Sequence, residues 1–284
     1  MLNTKKRFTL LFFIICLQIV VYAVFLRPVI LTWGASKNEV NTPLPGDNIA
    51  SSISSTRAIT VHTPAADVWK WLVQLGADRG GLYSYEIMEY LTGFYGDNSR
   101  TIVPEFQEMK VGRIVPISRS DSKIGFRVVS VDPGKSFVLE GWGSFVLKQI
   151  DSETTRLIIR THGWEIKSIS SFIFYKIIEP LHYIMERRML IGFKARAEAG
   201  EGVRLSIIPD ILWFLGVLLS YLGIILLVFM GRSIQCAVLS IFFGIIWLWP
   251  LLIFDPQNVY SVILLILIIA TIIWFRLKKS HQEY

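Results

Sequence analysis

Residues 57–85, which read RAITVHTPAADVWKWLVQLGADRGGLYSY, predict the first strand and the first helix of a water-soluble domain. Arg57 to His62 alternate between apolar and polar side chains, which is the period of a half-buried strand. Thr63 and Pro64 predict a helix start, because a hydroxyl suits the N-cap and proline suits the first turn. The helix has one apolar face and is predicted to end at Gly76. That face is formed by Val68, Trp71, Leu72 and Leu75. A strand followed by such a helix predicts a sheet that wraps around an apolar interior.

The residues after this stretch predict a short helix and then a run of strands joined by tight turns, which is typical of an antiparallel sheet. The helix is predicted at 82–91 and the strands at 113–117, 125–131, 136–139, 144–150 and 154–161. A longer amphipathic helix is predicted at 171–198, with Pro180 either kinking it or starting a new helix. One face of this helix carries Ile173, Ile177, Leu181, Ile184 and Met185. The predicted fold class is α+β, with a curved sheet gripped by the last helix and a cavity between them.

The ends of the chain predict membrane spans, because four apolar runs each approach the roughly 20 residues that cross a bilayer. These runs are 8–26, 207–230, 234–254 and 259–275. Residues 36–56 are polar and predict a flexible linker, and residues 57–200 form the predicted soluble domain. The first run is followed by Arg27-Pro28 without a small-residue cleavage site. It therefore favours an uncleaved anchor over a signal peptide.

The net charge of +7 indicates membrane topology rather than nucleic-acid binding, because basic residues gather at the predicted membrane edges. Seven of them are Lys5, Lys6, Arg7, Arg232, Arg276, Lys278 and Lys279. With the N-terminus inside, four spans place all seven on the cytoplasmic side and the soluble domain outside. Cys16 and Cys236 lie in predicted spans, so the soluble domain has no disulfide and no thiolate metal site. The spans carry almost no ionisable groups, which disfavours a pump or ion-coupled transporter.

Three segments of the chain resemble the START-like helix-grip superfamily, which includes the polyketide cyclases and the major birch-pollen allergen. They read RAITVHTPAADVWKWLVQLGADRGGLYSYE, RIVPISRSDSKIGFRVVSVDPGKSFVL and EPLHYIMERRMLIGFKARAE, and they lie within residues 57–198, about half of the chain. The resemblance implies a helix-grip domain that binds a hydrophobic or lipid-like small molecule, here in a multi-pass protein of a bacterial plasma membrane. The superfamily shares no catalytic residue set, so none is carried over.

Two other functions remain open from the sequence. The domain could be an enzyme of the cyclase or dehydratase type acting on a hydrophobic substrate. It could also be a non-catalytic sensor or assembly module whose spans anchor it for a partner protein. No spacing matches a metal site, and no phosphate-binding, dinucleotide-binding or serine-hydrolase motif occurs, so we predict no metal and no cofactor.

The candidate ligand-binding residues fall into three groups. Trp69, Trp71, Trp142 and Trp164 either line a cavity or pack in an ordinary core. Arg79, Tyr83 and Tyr85 lie in a glycine-containing stretch that predicts either a polar cavity mouth or a surface turn. His182 and Glu186 are four residues apart on one helix face. With His162 or Glu165 they could carry out acid–base chemistry, or they could form a solvated face.

Overall fold

The structure is a computed structural model that describes residues 3–92, 98–119, 121–202, 205–231 and 233–280. Arg232, one of the seven basic residues named above, lies outside these ranges. The chain divides into two compact units, Leu31–Leu205 on the one hand and Met1–Ile30 with Ser206–Tyr284 on the other. The predicted α+β class is confirmed, since one unit holds an antiparallel sheet with helices and the other consists of apolar helices.

Ten α-helices occur in the described residues. Their bounds are α1 Thr4–Val21, α2 Arg27–Leu31, α3 Lys37–Asn41, α4 Ala65–Leu72, α5 Glu86–Thr92, α6 Ile169–Ala199, α7 Ile208–Met230, α8 Ile234–Ile246, α9 Leu248–Leu252 and α10 Gln257–Ser280. A π-helical stretch, Tyr22–Leu26, joins α1 to α2. The long helix α6 is capped by the hydroxyl of Ser168, which accepts the backbone N–H of Ser171, and it continues through Pro180.

Six antiparallel strands form one open sheet in the Leu31–Leu205 unit. They are β1 Ile53–Val61, β2 Ile114–Pro116, β3 Gly125–Asp132, β4 Ser136–Leu139, β5 Gly143–Asp151 and β6 Thr154–His162. Their order across the sheet is β1-β6-β5-β4-β3-β2. Strands β2 to β6 therefore lie beside their sequence neighbours, as tight turns require, and β1 completes the sheet by pairing with β6.

Helix α4 ends earlier than the sequence predicts. The apolar face of Val68, Trp71 and Leu72 is buried, but the helix stops at Leu72, so the prediction that Gly76 caps it is wrong. Gly76 has φ +133° and exchanges two backbone hydrogen bonds with Gly81, at 3.0 and 2.9 Å. The glycine is needed for this tight turn, which a residue with a Cβ would strain.

The core of the unit lies between the inner face of the sheet and helices α4 and α6. Large aromatic side chains fill it: Phe137 and Phe145 stack at 4.8 Å, and Tyr83 packs on Phe193 from α6 at 4.8 Å. Trp71 of α4 meets Tyr83 edge-on at 6.3 Å, and all five rings are buried. Side chains therefore occupy much of the space in which the sequence predicts a cavity.

The outer face of the sheet is covered by the segment that precedes β1, where the sequence predicts a flexible linker. Residues 36–56 instead contain α3 and the start of β1. Glu39 of α3 is paired with Arg156 at 2.7 Å, and Asp47 is paired with Arg160 at 2.6 Å. The hydrogen bond from Arg156 is the main reason why the pKa of Glu39 falls to about 2. These charge-assisted hydrogen bonds hold the segment to β6.

The described residues include four helical stretches that are long and apolar enough to cross a membrane. They are Thr4–Leu31, Ile208–Met230, Ile234–Leu252 and Gln257–Lys278, which confirms the four predicted runs. Small residues allow close approach between α7 and α10, where a Cβ on Gly216 would meet the side chain of Ser261 at 2.5 Å. Gln18 donates to the carbonyl of Gly244 at 2.7 Å, so this buried amide is not left without a partner.

Candidate functional site

A group of polar side chains, all buried except the partly exposed His182, lies at the interface between α6 and the inner face of the sheet. It consists of Ser55, Arg57, Thr161, His182 and Glu186, which we call the polar cluster. The side chain of Glu186 is completely buried, and it lies at the centre. Its Oε1 accepts Arg57 Nη1 at 2.6 Å, and its Oε2 accepts Thr161 Oγ1 at 3.0 Å. His182 Nε2 lies 3.4 Å from Oε2.

Strand pairing and helix periodicity together explain why these residues meet. His182 and Glu186 are one turn apart on α6. Ser55 lies opposite Thr161 in the β1–β6 ladder, and Arg57 lies two residues further along β1. Paired residues share a face, as do residues two apart, so all three strand side chains point to the face on which α6 packs.

The electrostatics of the cluster favour an ionised Glu186 beside an uncharged His182. Burial by itself would raise the pKa of Glu186, but the charge and hydrogen bond of Arg57, with Thr161, outweigh it and hold that pKa below its ordinary value. Burial lowers the pKa of His182. Arg57 and Glu186 therefore cancel, and the cluster carries no net charge at neutral pH.

Trp142 forms a wall beside the cluster. It immediately precedes Gly143, which is opposite Thr161 in the β5–β6 ladder, and its ring lies 6.3 Å from that of His182. The indole also packs on Phe126 at 5.0 Å and on Phe145 at 5.4 Å. The site is thus apolar on the side of the sheet core and polar toward α6.

Two buried donors at this place have no hydrogen-bond partner among the described residues. They are the hydroxyl of Ser55, on a residue 4% exposed, and Nε1 of Trp142, on a residue 9% exposed. Buried polar groups normally have partners, and leaving one without a partner costs about 1–3 kcal/mol. Each of these two donors can therefore form a hydrogen bond to a water or to an acceptor atom of a ligand.

The structure brings three of the predicted site residues together, namely Trp142, His182 and Glu186. Trp164 is half exposed and stacks on Phe174 at 6.0 Å, away from the core. His162, weighed above as a partner for His182, follows Thr161 in β6 and its side chain is on the opposite face of the sheet.

The other predicted residues lie in the core or the loops. Trp71 is in the core, and so is Tyr83, which has φ +58°. Burial raises the pKa of Tyr83 to about 12, and the guanidinium of Arg196 covers its ring at 4.7 Å. Tyr85 is buried beneath Arg188.

Arg79 binds its own fold instead of facing a cavity mouth. Its Nη1 donates to the carbonyls of Val73, Phe106 and Glu108 at 3.3, 2.9 and 3.1 Å. These bonds tie two loops to the end of α4, which explains a charged residue at this place without any ligand.

Sequence reasoning missed Ser55, Arg57 and Thr161. The alternation that predicts β1 contains a signal for Arg57, since it lies in phase with Ile59 and Val61 on the buried face. A charged residue on such a face calls for a buried counter-charge. Its partner Glu186 lies 129 residues away, so no local spacing connects the two.

Comparisons of the chain with models of known protein families, with curated proteins and with solved structures find no match. Among the described residues no group of three or more His, Cys, Asp or Glu side chains could hold a metal ion.

Proposed function

We propose that the Leu31–Leu205 unit is a membrane-anchored binding module for a small, largely hydrophobic and uncharged molecule. The molecule contacts Trp142 with its apolar part and the polar cluster with its polar end. The observation that carries the proposal is the pair of buried donors, Ser55 Oγ and Trp142 Nε1, that have no acceptor among the described residues. A bound acceptor atom would remove the cost of leaving them unpaired.

The donors and the charges narrow the class of ligand. An indole N–H only donates, so the ligand presents an acceptor such as a carbonyl, ether or hydroxyl oxygen. The Arg57–Glu186 pair is already neutral, and His182 is uncharged. A charged head group would lose its hydration here without gaining a free counter-charge, which disfavours carboxylates, phosphates and amines.

The filled core limits the size of the ligand. Phe137 and Phe145 occupy the interior next to Trp142, so a long acyl chain would have to displace them. The proposed ligand is therefore a compact molecule at the edge of the core. The resemblance to the helix-grip superfamily supports this proposal, because a hydrophobic ligand between sheet and last helix is its common theme.

The basic residues near the membrane edges support an extracytoplasmic location for the module. By the positive-inside rule, Lys5, Lys6 and Arg7 favour a cytoplasmic N-terminus. The module then lies on the extracytoplasmic side of a bacterial plasma membrane, where it can sample molecules outside the cell.

Neighbouring serines provide a test with a built-in control. Ser55→Ala removes a donor that has no partner among the described residues. We therefore expect the affinity for the ligand to fall about tenfold, the worth of one hydrogen bond, and the ligand-free protein to lose no stability. Ser54→Ala removes a hydroxyl that lies 2.8 Å from the Tyr175 hydroxyl, so it should lower stability by about 1 kcal/mol and retain the ligand. Native mass spectrometry and organic extraction of the full chain in detergent measure how much ligand each variant retains. Thermal unfolding measures the stability of each variant.

Trp142→Phe should lower binding in the same assay, whereas Trp164→Phe should not, because Trp164 is outside the site. Equal ligand content in Ser55→Ala, Trp142→Phe and the wild type would contradict the proposal. So would a wild-type protein from which no small molecule can be extracted.

The His182–Glu186 pair favours a second candidate function, an acid–base enzyme of the cyclase or dehydratase type. Glu186 orients the imidazole across 3.4 Å, and the lowered pKa leaves His182 able to accept a proton near neutral pH. If His182 acts on the ligand, His182→Asn should carry a chemically different, unreacted molecule, and the exposed His62→Asn should match the wild type. The same molecule in all three proteins would exclude turnover through His182.

A further inference from the structure

The first half of α6 carries an apolar face that the rest of its unit leaves exposed. Ile169, Ile173, Ile177 and Leu181 follow one another at four-residue spacing and are 42–81% exposed. The sequence predicts Ile173, Ile177 and Leu181 on the same face as Ile184, which is buried against the unit. The two halves of one helix therefore have different surroundings.

The exposed half is apolar on more than one side. Phe172 and Phe174 lie off the isoleucine stripe and are about half exposed. Contiguous exposed apolar surface of this kind marks an interaction site.

Its polar and aromatic groups have the arrangement found at membrane–water interfaces. Lys176 lies over the rings of Phe172 and Tyr175 at 5.4 and 5.5 Å, with its stem along apolar surface. Trp164 stacks on Phe174 at 6.0 Å. Trp and Tyr are enriched at the head-group level, and lysine extends its charge toward lipid phosphates.

The length of the segment indicates that it lies in the interface and does not span. Residues 169–181 extend about 20 Å as a helix, whereas crossing the hydrocarbon core takes about 30 Å. A stretch of this length suits a helix lying along the bilayer surface.

The chain already ties this unit to a bilayer at both ends. The helical stretch Thr4–Leu31 is long and apolar enough to span, and α7 begins at Ile208 after α6 ends at Ala199. This covalent connection to an apolar helix at each end makes a lipid surface available to the unit.

We infer that residues 164–181 insert into the bilayer interface as an amphipathic anchor. The apolar side chains of Ile173, Phe174 and Ile177 lie among the acyl chains near the head groups, and Lys176 lies at the phosphate level. The occupant of this surface is lipid, and the inference does not depend on a ligand at the polar cluster.

Site-directed fluorescence in the full-length chain tests the inference. Phe174→Cys is made on a Cys16→Ala/Cys236→Ala background, since those two are the free cysteines of the described chain. The new thiol is labelled with an environment-sensitive nitrobenzoxadiazole dye, and the protein is placed in phosphatidylcholine–phosphatidylglycerol vesicles. Ser152→Cys, on the exposed turn between β5 and β6, is the matched control.

We expect the label at 174 to be quenched by lipids that carry a spin label and protected from aqueous iodide, with the reverse pattern at 152. Iodide quenching at 174 as strong as at 152 would overturn the inference. Protection at 174 from both quenchers would overturn it too, because protein would then cover the surface. Ile177→Cys, also exposed, replaces Phe174→Cys if that variant does not fold.

Discussion

Replacing Glu186 with leucine is expected to lower the free energy of unfolding of the Leu31–Leu205 unit by about 3–5 kcal/mol. The side chain of Arg57 is 2% exposed, and its Nη1 lies 2.6 Å from Oε1 of Glu186. Removing that carboxylate takes a charge-assisted hydrogen bond from a guanidinium that is buried next to Tyr183 and Ile159. Arg57→Leu should be costly for the reciprocal reason, since it leaves Glu186 charged in the interior.

The double variant Arg57→Leu/Glu186→Leu separates the two contributions. The double variant removes both members of the ion pair, and a buried pair replaced by apolar residues is often neutral or stabilising. Thr161 would lose its acceptor, so we expect a loss of about 1–2 kcal/mol. Hydrogen exchange of the β1 and β6 amides in the full chain measures these free energies locally. A double variant as unstable as the sum of the two single variants would show that the pair is not coupled.

The local elements of the fold follow from the sequence because their signals are local. Short segments between tight turns predict β4 with its bounds and β3, β5 and β6 to within a residue at each end. The face of α4 follows from Val68, Trp71 and Leu72, which repeat with the helical period. The end of α4 does not follow, because Gly76 would serve equally at a helix end or in a tight turn. Its contact with Gly81 decides for the turn.

The candidate site depends on contacts that the sequence does not encode locally. Spacing predicts that His182 and Glu186 share a helix face, and this is confirmed. Spacing does not predict whether this helix face is exposed to water or contacts Arg57, because that depends on how β1 packs against α6. The same ambiguity explains Ile173 and Ile177. Helical periodicity identifies an apolar stripe, but it does not identify what covers the stripe.

Gly143→Ala is expected to destabilise the unit by about 2–5 kcal/mol, because a strained backbone and a steric clash act together. Gly143 has φ +138°, which residues with a side chain rarely adopt. A Cβ at this position would meet the carbonyl oxygen of Arg160 at 1.9 Å. Since that oxygen belongs to β6, relief requires β5 and β6 to move apart where Trp142 adjoins the polar cluster. The loss of stability should therefore come with a loss of any ligand bound there.

Gly134→Ala is the matched control, because it shares the unusual backbone but not the clash. Gly134 has φ +76° in the β3–β4 turn, and a Cβ there would have nothing within 4 Å. Gly134→Ala should lower the free energy of unfolding only by the cost of the unfavourable backbone conformation, about 1–2 kcal/mol, and the variant should retain its ligand. Hydrogen exchange in β5 and β6 distinguishes the two, since only Gly143→Ala should open that pair of strands locally. Equal effects at both glycines would mean that the close approach of β5 to Arg160 is not what positions Trp142.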